Sequence, residues 1–440
     1  MKPIWILLFL LMGIFSNAQN AFEMSEPKKV VIPFRLINNL IFIPIEVNGV
    51  ELTFFLDSGV NETTIFSLEN KDIQLSNLEK TTFTGLGTSG SIDGFKSEGN
   101  VAKIGKNLTN KDFAFYIISD PEFNISSHIG IPVNGIIGYQ FFKNLQVIID
   151  YESKKMTLFP DDKSFQSKVR KFEEFPITIE KYKPYIIANV EMTNDPKDSK
   201  LLLDLGNTDA IWLFPKLIKD FVYNRPNIED YLGRGFNGDI FGKRSRIHNL
   251  YLGKFKFEKP LIAMPDEYSI QNLNLVKDRK GSIGSEILRR FTVAFDYKNE
   301  KLYLKKNRNF DDPFHFNMSG IDFKQDGMQW EQDLMHIETK KNTNLQGTEV
   351  INNALQYKFV LKPIFSIAGV RKDSPGALAG LQKDDLLIKI NGKKTSDMTM
   401  QKIVDLMKSE DGKTIEMEIE RKFKPMKIKF ILEDPIPYQE

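Results

Sequence analysis

Residues 135–159 read GIIGYQFFKNLQVIIDYESKKMTLF, and residues 281–305 read GSIGSEILRRFTVAFDYKNEKLYLK. Aligned without a gap, they share a Gly-x-Ile-Gly frame and then a Val-x-x-Asp-Tyr frame, at Val147-Asp150-Tyr151 and Val293-Asp296-Tyr297, at an offset of 146. Upstream, FFLDSG at 54–59 and LLLDLG at 201–206 repeat at an offset of 147. Two independent matches at nearly one spacing mean a duplicated unit. The sequence therefore predicts two similar lobes, residues 28–165 and 170–308, related by an approximate two-fold.

Within each lobe the apolar runs are short, β-branched or aromatic, and bounded by Gly, Asn or Asp, which reads as a mainly β fold. Residues 41–47, 52–56, 113–118 and 147–149 are predicted strands of the first lobe, and 185–190, 201–203, 250–252 and 293–295 echo them in the second. Short helices are expected after each Asp-x-Gly turn and around 140–143 and 286–290.

A single Asp-x-Gly triplet is an ordinary turn, because Asp bonds its own backbone two residues on and Gly tolerates the bend. Here the apolar run before Asp57 and the one before Asp204 would bury each strand, leaving the carboxylates at the edge of a core where desolvation perturbs them. Placed by a pseudo-two-fold, the turns Asp57-Ser58-Gly59 and Asp204-Leu205-Gly206 can face each other. Two facing carboxylates cannot both ionise cheaply, so they share a proton, and one serves as base while the other serves as acid. Such a pair can activate water with neither a metal nor a cofactor. Gly59 and Gly206 permit the tight turns and leave N–H groups to bond the carboxylates.

Hydrophobic-hydrophobic-Asp-Ser/Thr-Gly followed by hydrophobic-Ile-Gly, once in each lobe, resembles the retropepsin and pepsin-type aspartic peptidases, and in particular bacterial single-chain members with a C-terminal PDZ domain. The resemblance covers nearly the whole chain after its leader. It implies a two-lobed aspartic-peptidase-like β fold, Asp57 and Asp204 as the catalytic pair, and Gly138 and Gly284 packed beneath the active-site loops. One position departs from it: the family places Ser or Thr after each catalytic Asp, where the hydroxyl bonds across the lobes. Ser58 fits that pattern, whereas Leu205 has no hydroxyl.

Gly85-Leu86-Gly87 and Gly233-Arg234-Gly235 each open a Gly-x-Gly-x-x-Gly string, 148 apart. A dinucleotide site needs that string between a strand and a helix. Here each is followed by a strand pattern, so the two read either as hairpin flaps closing over an extended substrate or as plain glycine-rich hairpins. The four histidines, His128, His248, His315 and His336, lack ligand spacing, which speaks against zinc. No nucleophile-elbow pattern supports a serine hydrolase.

Farther along, DSPGALAGL at 373–381 and DDLLIKING at 384–392 are similar to PDZ signatures, giving a PDZ-like α+β domain over 312–436 with an insertion near 327–356. In that domain residues 398–408 read as the helix beside the groove, and 414–420 and 426–432 as closing strands. PDZ domains add a peptide as a strand and hold its terminal carboxylate in a backbone nest. The resemblance puts that nest at Gly320-Ile321-Asp322-Phe323. Asp322 stands where glycine is usual and would oppose a carboxylate, so internal or intramolecular ligands fit as well as free C-termini.

Lys2, the apolar residues 4–15 and Ser16-Asn17-Ala18 predict a signal peptide over 1–18, and nothing later has the length and apolarity of a membrane span. The chain has no cysteine, which excludes thiol catalysis, zinc thiolates and disulfides and fits a bacterial periplasmic or secreted protein. Sixty Lys and Arg against 58 Asp and Glu give a net charge of +2, no basis for binding nucleic acid. The sequence thus points to an exported aspartic endopeptidase acting on peptides or unfolded proteins, with a PDZ domain for peptide or protein binding. Its rival is a catalytically inactive envelope adaptor that works through the PDZ domain.

Overall fold

The computed structural model describes residues 21–438 apart from 69–70, 84–91, 119–124, 193–194, 219–220, 222, 236–237, 271–274, 336–341, 344–348 and 351–355. The predicted signal peptide and the first glycine loop, with Gly85 and Gly87, lie outside the described residues. The chain forms two compact units, one of Ala21–Ile125, Pro132–Phe314 and Ile436–Tyr438, the other of Ser126–Ile131 and His315–Pro435.

The first unit is built of three sheets. At the heart of one, the Val50–Leu56 strand runs parallel to Gly135–Ile137, with Phe54 opposite Gly135 and Leu56 opposite Ile137. Gly135–Ile137 is in turn antiparallel to Thr64–Ile65. In the second sheet, Pro196–Asp204 runs parallel to Arg279–Gly284, with Leu201 opposite Gly281 and Leu203 opposite Ile283, and Ile211–Leu213 lies antiparallel beyond it. The strands on either side of each Asp turn are therefore the same in both lobes. Phe54, Leu56, Leu201 and Leu203 are fully buried, which is why these runs carry no polar residue before the aspartate. The Gly of each Gly-x-Ile-Gly frame is dictated by close approach: a Cβ on Gly135 would fall 2.4 Å from the Thr64 carbonyl oxygen, and one on Gly281 1.9 Å from that of Trp212. Among the described residues no helix directly follows either Asp-x-Gly turn, and a single 3-10 turn, Pro215–Leu217, comes later in the second lobe. The chain enters the short buried strands Thr64–Ile65 and Ile211–Leu213 instead, because their apolar residues are needed between neighbouring strands.

The third sheet joins the lobes. Its order is Glu173–Pro176, Lys301–Lys306, Phe291–Asp296, Gln146–Asp150, Lys155–Phe159, Val30–Pro33. At its centre Gln146–Asp150 and Phe291–Asp296 pair antiparallel, with Ile148 opposite Ala294. Those two residues are equivalent in the sequence repeat, so the pseudo-two-fold axis passes between them and each flanking strand has its mate on the other side. A continuous apolar core runs through this unit, including Phe142, Val147, Phe291 and Val293.

The hairpins before the Asp strands also correspond. Arg35–Ile37 turns through Asn38-Asn39, with φ of 48° and 66°, into Leu40–Val47, and Thr178–Glu180 turns through Lys181-Tyr182, with φ of 49° and 65°, into Lys183–Glu191. Two successive left-handed residues are the geometry a two-residue hairpin requires.

The second unit is a sheet ordered Ile321–Met335, Gln356–Val370, Leu386–Ile390, Thr414–Arg421, Lys424–Ile431. The helix Met400–Met407 is capped by the Thr399 hydroxyl, which accepts from the Lys402 amide at 3.3 Å, and buries Met400, Ile403 and Met407 against Ile321 and Phe323. Much of the stretch read as an insertion is strand: Met328–Met335 continues the ladder onto Gln356–Pro363. Two short segments change unit along the chain: Ser126–Ile131 belongs to this unit and Ile436–Tyr438 to the other. Among the described residues, no helix is long and apolar enough to cross a membrane.

Candidate active site

Asp57 and Asp204 end the two buried strands, and their carboxyl groups meet. A methyl group added at Gly59 would lie 2.9 Å from Asp204 Oδ1 and 3.0 Å from Asp57 Oδ1, and one added at Gly206 would lie 2.2 Å from Asp57 Oδ2. Each turn glycine thus lies against the opposite lobe's carboxylate, where no side chain fits. The amide of Gly59 donates to Asp57 Oδ1 at 2.7 Å, and the amide of Gly206 to Asp204 Oδ1 at 3.1 Å. Beneath the turns, a Cβ on Gly138 would fall 2.6 Å from the Asp57 carbonyl oxygen, and one on Gly284 2.7 Å from that of Asn207. The Asp57 amide donates to the Ile137 carbonyl at 2.9 Å, so the Gly-x-Ile-Gly strand fixes where the turn begins.

One hydroxyl ties the turns across the lobes. Ser58 Oγ donates to the Leu203 carbonyl at 2.7 Å and accepts from the Leu205 amide at 2.9 Å, and all three residues are buried. The two-fold mate of that link is missing, because Leu205 has no hydroxyl. Its carbonyl instead accepts from Ser285 Oγ at 2.9 Å within its own lobe. The turns are held from one side only.

Burial and the Asp204 charge raise the Asp57 carboxyl to about 8, against the lowering influence of the Gly59 amide and of Lys183. Asp204 is also raised by burial, but Arg279, Lys183 and the Gly206 amide pull it back. The hydrogen bond between the two carboxyls raises Asp57 and lowers Asp204. Both carboxyls are thus raised by burial, which favours one proton between them, and Arg279 and Lys183 favour the charged form of Asp204.

Lys183 and Arg279 were not singled out by the sequence. Burial lowers both, while Asp57 and Asp204 favour the charged form of Lys183, and Tyr185 and Asp204 that of Arg279. Arg279 lies 5.2 Å from the Phe214 ring centroid and donates from Nε to the Gly281 carbonyl at 3.1 Å. Both cations break the two-fold: Lys183 follows its hairpin turn where Leu40 follows the other, and Arg279 stands at the repeat position of Val133. A charged residue aligned with a buried apolar one was the available signal. Tyr297 is a further neighbour, its buried phenol pushed up first by burial and then by the Asp57 charge.

The second glycine loop forms a hairpin, Ile228–Gly235 with Gly238–Arg246, in which Gly233 sits at a register shift with φ of 143°. Gly235 pairs with Gly238 at its end. Its base is bonded to the loop after Asp204: Arg244 donates to Asp209 and to Asp230 at 2.7 Å each, and Trp212 Nε1 donates to Asp209 at 2.7 Å.

In the other unit, Gly320 has φ of 69° and leads into the strand that begins at Ile321, with Phe323 buried and Asp322 exposed. Three amides at the start of this loop already have side-chain partners. Asn317 Oδ1 accepts from the amides of Ser319 and Gly320 at 3.2 Å each, and the Ile321 amide donates to Ser319 Oγ at 3.1 Å. A terminal carboxylate would have to displace these side chains.

Residues 43–141 match the family model described as aspartyl protease, and residues 366–421 match the PDZ domain model. Among solved structures, the aspartic proteinase from Irpex lacteus is similar at 11% identity, over 65% of this chain and 99% of that one, with a TM-score of 0.41. No curated protein matches the chain. The chain thus carries an aspartyl-protease-like region and a C-terminal PDZ domain. The first match contains Asp57 but not Asp204, whose carboxyl meets that of Asp57.

Replacing Ser58 by Ala leaves the Leu203 carbonyl and the Leu205 amide buried without that partner. Chemical denaturation should show a loss of about 2 kcal/mol. A loss within measurement error would mean that the turns are held together by other contacts.

Proposed function

We propose that this chain is an aspartic endopeptidase that hydrolyses peptide bonds with a water held between Asp57 and Asp204, and that its PDZ domain binds peptide or protein. The observation that carries this reading is the convergence of two half-buried carboxyls, one from each copy of the repeat, close enough to share a proton. Asp204, kept ionised by Arg279 and Lys183, takes a proton from the water as it attacks the scissile carbonyl. Asp57, which holds the shared proton, gives it to the carbonyl oxygen. The resulting tetrahedral intermediate collapses when the amine leaves with a proton returned through the pair. No covalent enzyme intermediate forms. The Ile228–Gly235 and Gly238–Arg246 hairpin, bonded at its base to the Asp204 loop, is placed in this reading as a flap over the substrate.

Cleavage of an unfolded protein or a peptide library should be blocked by a statine-type transition-state analogue. It should fall at least about 1000-fold in Asp57→Asn and in Asp204→Asn, since each removes half of the acid–base pair. Absence of wild-type cleavage at every pH would favour the inactive adaptor, a reading that the one-sided Ser58 link supports. Cleavage retained in both variants would overturn the assignment of the site.

The leader and the lack of cysteine support an exported, periplasmic or secreted location. In cell fractionation the full chain should leave the cytoplasm and a chain lacking residues 1–18 should stay; equal distribution would contradict export.

A further inference from the structure

The Ile321–Met335 strand lies at the edge of its sheet, and the helix Met400–Met407 packs beside it. The space between such a strand and helix is where a PDZ domain takes a peptide. In this chain that space holds the chain's own residues 126–131. Ser126–Ile129 forms one helical turn, closed by the Gly130 amide donating to the Ser126 carbonyl at 2.8 Å. Ile129 is buried, with 7% of its surface exposed. Gly130 sits between the two walls: a Cβ there would fall 2.9 Å from Met400 Cβ on the helix and 3.4 Å from Gln325 Oε1 on the strand. Its φ of 78° is the left-handed conformation that ends a helical turn, so both backbone and space require glycine.

We infer that Ser126–Ile131 is an intramolecular ligand of this groove, which keeps it closed to free peptides until an extended segment of similar apolar character displaces it. The occupant is internal to the chain and has no terminal carboxylate. Of the loop amides that would bind such a carboxylate, those of Gly320 and Ile321 are bonded to Asn317 and Ser319. The self-ligand holds by burial of Ile129 and by close packing of Gly130, and its amide closes its own turn. An extended competitor can add main-chain hydrogen bonds along the strand edge, which gives it a route to displace a helical turn.

The test uses the whole chain and a fluorescein-labelled, C-terminally amidated peptide, SSHIGIPV, copied from residues 126–133. Ile129→Asp puts a charge at a buried position, and Gly130→Val cannot fit against Met400; each should expel the segment. Fluorescence anisotropy should show binding at least about tenfold tighter to either variant than to wild type. Adding Met400→Asp to Ile129→Asp should remove that binding, and a free-acid peptide should bind no better than the amide. Equal binding to wild type and to folded variants, or none to any of them, would overturn the inference. If both variants fail to fold, hydrogen exchange on the wild type decides: saturating peptide should speed exchange across 126–131, and unchanged exchange would overturn it. None of these readouts depends on peptidase activity.

Discussion

The architecture of the first unit is organised around two half-buried carboxyl groups that are brought together at the edge of its core. Each would be costly alone in a core, and together they are tolerable only because they share one proton and each accepts an amide from its own turn. That requirement accounts for the sequence around them. The three residues before each aspartate are apolar, the second residue after it is glycine, and the Gly-x-Ile-Gly frame beside it begins and ends with glycine. At Gly206 a Cβ would enter the Asp57 carboxyl itself.

A two-fold makes such a meeting easy to build, since one strand–turn–strand solution used twice supplies both halves. Strict symmetry would leave the two aspartates in equivalent surroundings, distinguished only by the shared proton. A difference in surroundings enters through side chains that the second copy changed: Lys183 where Leu40 stands in the first, Arg279 where Val133 stands, and Leu205 where Ser58 stands. The two cations favour the ionised form of Asp204. The loss of the second hydroxyl removes one cross-lobe link and leaves Ser58 bonding to both sides of Asp204, at Leu203 and Leu205.

The duplicated frame was legible because repetition at a fixed offset survives divergence of the residues between. The same offset places Ile148 opposite Ala294 at the centre of the joining sheet, a pairing that follows from a two-fold and from no other simple arrangement. Lys183 and Arg279 were hidden because a charged residue in a strand pattern reads as a solvated face. Their burial depends on packing between strands remote in sequence. Helices after the Asp turns were expected from local composition, and the demand for buried strands beside Gly135–Ile137 and Arg279–Gly284 overrode it. The excursion Ser126–Ile131 left no periodic or compositional mark, and its destination depends on a groove formed by residues some 200 positions later.

The shared proton can be measured through stability. Asp57 is raised from its ordinary value to about 8 in the fold, so the native protein retains a proton that the unfolded chain releases as pH rises above the ordinary carboxyl range. The stability of the protonated pair is fully present at low pH and is lost as pH climbs toward 8, whereas Asp57→Asn carries no such proton. The decisive measurement is the difference in unfolding free energy between wild type and Asp57→Asn from pH 4 to pH 8. The account predicts that wild type loses ground steadily to the variant across that range; a difference that stays flat would contradict it.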